Sequence, residues 1–114
     1  MDNGEQLRRL AFGQTADDRA QDVPDTWPAT ALDARILALV RLGALAATGD
    51  GTVRSYGSLA DSALSAGASV EEIVDVLVGV LPITGPVRVA TAAPKLALVL
   101  GYDVDEDRDD DAGP

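Results

Sequence analysis

The sequence predicts an all-α subunit of five to six helices that assembles with copies of itself. Three observations carry this. From Leu32 onward, apolar residues recur at helical spacing between polar caps and Gly or Pro stops. Hydrophobic residues make up 46% of the chain and aromatics only 4%, so the core must be built from Ala, Leu and Val. Three of the expected helices are apolar around most of their circumference, more than one small domain can cover. The simplest cover is a second copy of the chain; a ligand cavity is the other use of such surface.

Residues 1–31 read as an N-terminal arm. Gln6–Phe12 has Leu7, Leu10 and Ala11 on one side and predicts a short helix. Asp22-Val23-Pro24-Asp25 and Trp27-Pro28 predict extended or turning chain, because residues before Pro avoid the α region. Trp27 is expected to pack.

Asp33 is the expected N-cap of the strongest helix, with Leu32 outside it as a staple. Thr48-Gly49-Asp50-Gly51 stops that helix. The next runs from Thr52 to Ala66 and ends at Gly67, suited to a left-handed C-cap. Ser69-Val70-Glu71-Glu72 is a capping box, followed by Ile73, Val74, Leu77, Val80 and Leu81 at helical spacing. Pro82 is expected to stop or kink this helix. Pro86 suits the first turn of a last helix, Val87–Leu100, with a bend expected near Pro94 and an end at Gly101. Residues 32–103 thus form the helical domain, and residues 104–114 an acidic tail expected to be disordered.

The net charge is −10, unevenly spread. Residues 32–102 carry six acids and five bases, whereas residues 103–114 carry seven acids and one base. An acidic chain repels phosphate backbones, so nucleic-acid binding is not expected. No apolar run reaches the roughly 18–20 residues that span a bilayer, and no signal peptide is visible. The expected protein is soluble and cytoplasmic, with no membrane partner. The tail lacks the spacing of a calcium loop, and no metal or other cofactor is expected.

There is no cysteine and no histidine in the 114 residues. Thiol peroxidase chemistry, disulfides and zinc-thiolate sites are therefore excluded, and the usual neutral-pH proton shuttle is missing.

The ordered series Leu32-Asp33-Ala34-Arg35, a long Ala/Leu helix, a Gly-rich turn, Ala66-Gly67-Ala68-Ser69 and Glu71-Glu72-Ile73 resembles the carboxymuconolactone decarboxylase and alkylhydroperoxidase D-like superfamily. Leu81-Pro82-Ile83-Thr84-Gly85 and Ala92-Ala93-Pro94-Lys95-Leu96-Ala97-Leu98 extend it, so that it covers roughly residues 32–103. The resemblance implies subunits assembled as trimers or hexamers. It also implies two cysteines at the positions of Thr52 and Ser55, a histidine at Leu59 and a glutamate near Ala38; all four are replaced here. A hydroxyl cannot cycle through a sulfenic acid or disulfide, so the family's peroxidase activity is not expected.

Arg54, Ser55 and Tyr56 fall in the first turn of the third helix, where the resemblance places a pocket. The positive end of a helix dipole beside a guanidinium suits a carboxylate or enolate. Arg54, Arg88 and Thr52 are the candidate ligand-binding residues, and Ser55 and Tyr56 the candidate catalytic pair. The ordinary reading of the same residues is Thr52 as an N-cap, Arg54 in solvent, and Tyr56 packed with its hydroxyl at the surface. Arg88 in turn is expected either to hold a substrate carboxylate or to pair with Asp75 or Glu71. Two functions follow: cofactor-free lyase or isomerase chemistry on a small carboxylated or lactone metabolite, or a degenerate, non-catalytic homo-oligomer retained for binding or assembly.

Overall fold

The computed structural model describes residues 2–12 and 30–102. All regular structure among them is helical: α1 (Asn3–Phe12), α2 (Ala34–Thr48), α3 (Val53–Ser65), α4 (Val70–Thr84) and α5 (Pro86–Leu100). The stretches around Pro24 and Pro28, Trp27 and the acidic tail lie outside the described residues. Residues 1–30 form one unit and residues 31–114 another.

In the first unit, α1 starts earlier than Gln6 because Asp2 Oδ1 accepts the Glu5 N–H at 2.7 Å and caps it. Glu5 pairs with Arg8 and Arg9, each at 3.6 Å, along the exposed helix surface. Such pairs add only about 0.2–0.5 kcal/mol each. The helix buries no side chain.

The second unit is built from four capped helices. Asp33 accepts the Ile36 N–H at 2.8 Å and starts α2, while Gly49, at φ 77°, ends it. Ala68 N–H reaches Ala63 O and Gly67 N–H reaches Leu64 O, closing α3 in a Schellman arrangement with Gly67 at φ 100°. Ser69 and Glu72 exchange bonds at 3.0 Å each, the expected capping box of α4. Arg35 adds a link between the starts of α2 and α4 by donating to Glu72 at 2.5 Å.

One expectation needs correcting. Pro82 does not stop α4, which continues to Thr84. A proline removes one N–H bond and crowds the preceding turn. The bond lost is the one to Val78 O in the turn before it; the helix still closes beyond Pro82, where Gly85 N–H reaches Leu81 O at 2.9 Å and Gly85, at φ 93°, turns the chain. Pro94 likewise lies inside α5, which runs on to Leu100.

Among the described residues the core has eleven buried hydrophobic residues, six of them alanines, so the helices approach closely and each contributes little bulk. Gly43 takes this furthest: a Cβ there would lie 3.1 Å from Val80 Cγ1 of α4. Tyr56, Leu42 and Ile73 are the large anchors. Full burial of side chains such as Leu42 and Ile73 contributes about 1.5–3 kcal/mol each. Among the described residues no polar side chain is buried. Much apolar surface stays outside this core: Ile83 is 91% exposed, Val78 63% and Val40 53%. Among the described residues, no helix is long and apolar enough to cross a membrane.

Candidate functional site

The candidate residues cluster around the turn between α2 and α3. The turn is tied from within. Thr48 donates its hydroxyl to Leu45 O at 2.7 Å and accepts the Asp50 N–H at 3.1 Å. Thr52 then caps α3 in a reciprocal box. Its hydroxyl accepts the Ser55 N–H at 3.0 Å, and the Ser55 hydroxyl oxygen accepts the Thr52 N–H at 2.9 Å. The Ser55 hydroxyl also donates to Thr52 O at 2.9 Å. Both oxygens that replace the implied thiols are thus helix caps. A serine hydroxyl is a poor nucleophile without an adjacent base, and the described bonds of Ser55 all go to Thr52.

Two cations from α5 clasp the same turn from outside. Arg88 donates to Ala47 O at 2.6 Å, and its chain lies over Gly49. Lys95 donates to Gly51 O at 2.7 Å. The last carbonyls of a helix lack intrahelical partners and carry the negative end of its dipole. The end of α2 therefore draws the Arg88 guanidinium, which pairs with neither Asp75 nor Glu71 among the described residues. Lys95 was not singled out from sequence. Its signal was available: it lies seven residues after Arg88, two turns along one helix face, in an otherwise apolar segment.

Tyr56 is 2% exposed and lies beneath the turn. Gly51 makes room for it, since a Cβ at that position would fall 2.5 Å from Tyr56 Cε2 and 2.9 Å from Leu45 Cγ. Burial pushes the phenol above its ordinary value, so it stays neutral. Its hydroxyl has no hydrogen bond to a described residue, and no fully buried side-chain oxygen or nitrogen is left unbonded, so the oxygen keeps contact with solvent. Arg54, two residues earlier, is exposed and has no described ion pair. Positions two apart on a helix do not face each other, so Arg54 and Tyr56 leave α3 in different directions. The other positions implied to be reactive are apolar: Ala38 is in the core and Leu59 packs against it.

Two open volumes lined by described residues lie elsewhere. One groove of about 600 Å³ runs between α4 and α5, over Leu77 and Leu96, with Glu71, Asp75 and Tyr102 at its rim. A second of about 580 Å³ lies between α2 and α4, lined by Val40, Gly43, Ala44, Gly79, Val80 and Ile83 among others, with no charged residue. Neither reaches Thr52, Arg54, Ser55, Tyr56 or Arg88. Among the described residues, no group of three or more acidic side chains is placed to hold a metal ion. Comparison with family models, curated proteins and solved structures finds no match to this chain.

Proposed function

We propose that this chain is a non-catalytic, self-associating helical protein whose copies meet through the α2/α4 face. One contrast supports the reading. The hydroxyls, Arg88 and Lys95 at the α2–α3 turn are bonded as caps and clasps, while an uncharged apolar face is left open beside them. Charge narrows the choice of face. A chain of net charge −10 repels its copies, so they must meet where no charge is brought together. The α2/α4 face meets that condition; the α4/α5 groove, with two carboxylates on its rim, does not. Membership of the carboxymuconolactone decarboxylase-like superfamily is part of this proposal. It rests on the motif order and implies a trimer or a hexamer.

Lyase or isomerase chemistry on a small carboxylate or lactone has one supporting observation, the unpaired Arg54 beside the start of α3. Neither described groove reaches it, and the assembly reading has the stronger support.

Light scattering after size exclusion tests it. Wild type is expected to elute as an oligomer at micromolar concentration, and Ile83→Glu as a folded monomer, because a buried unpaired carboxylate at each contact is strongly unfavourable. A wild-type monomer, or an Ile83→Glu oligomer of unchanged mass, would refute the proposal.

A further inference from the structure

The α4/α5 groove differs from the α2/α4 face in one respect that decides what it can hold. Its floor and walls are apolar, from Val74, Leu77, Leu96 and Leu100, but its rim carries Glu71 and Asp75. These two acids are one helical turn apart on α4, the spacing at which like charges repel. Neither has an ion-pair partner among the described residues; Arg35, the base that does pair with this helix, is taken by Glu72. Tyr102, 58% exposed, brings an aromatic ring to the same rim. A ring face attracts a cation electrostatically. The start of α4 would oppose this with the positive end of its dipole, but the Ser69–Glu72 box already occupies two of its amides there.

The volume, about 600 Å³, lies in the range of small-molecule sites. Along α4 the lining runs from Val70 to Leu77, about 11 Å at the helical rise. We infer that this groove binds a cationic amphiphile: one ammonium group between Glu71, Asp75 and the Tyr102 ring, and one aliphatic or aromatic body over Leu77 and Leu96. This is opposite in charge to the carboxylate ligand that the sequence suggests for the α3 start. It does not depend on the assembly reading, because the two faces are lined by different residues.

Calorimetric titration of the full chain tests it with three probes of equal chain length: octylamine, octanoate and octanol. Octylamine is expected to bind one per chain, at least tenfold more tightly than either of the others, and less tightly as salt is added. The Glu71→Gln/Asp75→Asn double variant is expected to lose about tenfold in octylamine affinity while binding octanol unchanged. Ala97→Phe, which fills the groove without touching its charge, is expected to abolish binding of both. Circular dichroism confirms that each variant is folded. No octylamine binding by wild type, equal binding of amine and carboxylate, or an unchanged affinity in the double variant would overturn the inference. A rise in oligomer mass on neutralising Glu71 and Asp75 would also overturn it, since the groove would then be a contact between copies.

Discussion

The α2–α3 turn and the α2/α4 face lie on the same helix, and they are opposites. At the turn Thr48, Thr52 and Ser55 close onto the backbone, and Arg88 and Lys95 come from α5 to hold two of its carbonyls, which leaves Arg54 and the Tyr56 hydroxyl without a described bond. On the face there are no charges to engage, and Val40 and Ile83 stand largely uncovered. A hydroxyl needs an adjacent base to do chemistry, and apolar groups have to be covered to be stable. The turn has the character of a fastening, and the face that of an unfinished contact.

The largest way to break this contrast is at Tyr56. If the turn is structural, Tyr56→Ala should lower unfolding stability by about 3–5 kcal/mol, the cost of emptying a buried aromatic site. Tyr56→Phe should change it little, because the hydroxyl bonds to no described group. Chemical denaturation reads both. A Phe variant as damaged as the Ala variant would mean that the hydroxyl matters.

Gly51→Ala comes next. Its methyl would meet the Tyr56 ring at 2.5 Å, so a loss of about 1–3 kcal/mol is expected. Gly79, on the open face, is the counterpart. Nothing lies within 4 Å of a Cβ there, so Gly79→Ala should stabilise the subunit by up to about 1 kcal/mol through helix propensity. The same methyl adds bulk to the contact face, and association in that variant should weaken. Thermal melts at low and high protein concentration separate the two effects. A variant destabilised at every concentration would show that the face is already packed.

The smallest effect is one of pH. The Ser69 amide holds the Glu72 carboxyl below its ordinary value, against some desolvation and with help from Arg35. A lowered folded-state value gives stability that is present above the unfolded glutamate value and lost as pH falls through the folded one. The melting temperatures of wild type and Glu72→Gln should therefore differ at neutral pH and converge on acidification. A gap that widens with acid would contradict the assignment.

How legible all this was in sequence follows from the range of each interaction. Asp33, the Ser69–Glu72 box and Gly67 act within a turn of their own position, and each was readable. Pro82 allows either a stop or a kink in sequence, and that α4 passes through it to Thr84 is decided only in the fold. Tyr56 shares the spacing of Ala60 and Ala63, which marks it as a core position, whereas the pocket expected there is implied only by the family resemblance. The partner of Arg88 lies forty-one residues away at Ala47, a contact made only by tertiary packing. The separation of the two grooves from the candidate residues was equally invisible, since it depends on how four helices pack.

The absence of cysteine offers the most direct test of the central claim, that the α2/α4 face is covered by another copy. Ile83→Cys introduces the chain's single thiol at a position 91% exposed in the isolated subunit. Its reaction with a maleimide is followed against protein concentration, with Asp61→Cys, on the exposed side of α3, as the reference. The account predicts that the thiol at position 83 is protected at micromolar concentration and reacts progressively faster on dilution, while that at position 61 reacts at one rate throughout. Equal and concentration-independent rates at both positions would show that the face stays open to solvent.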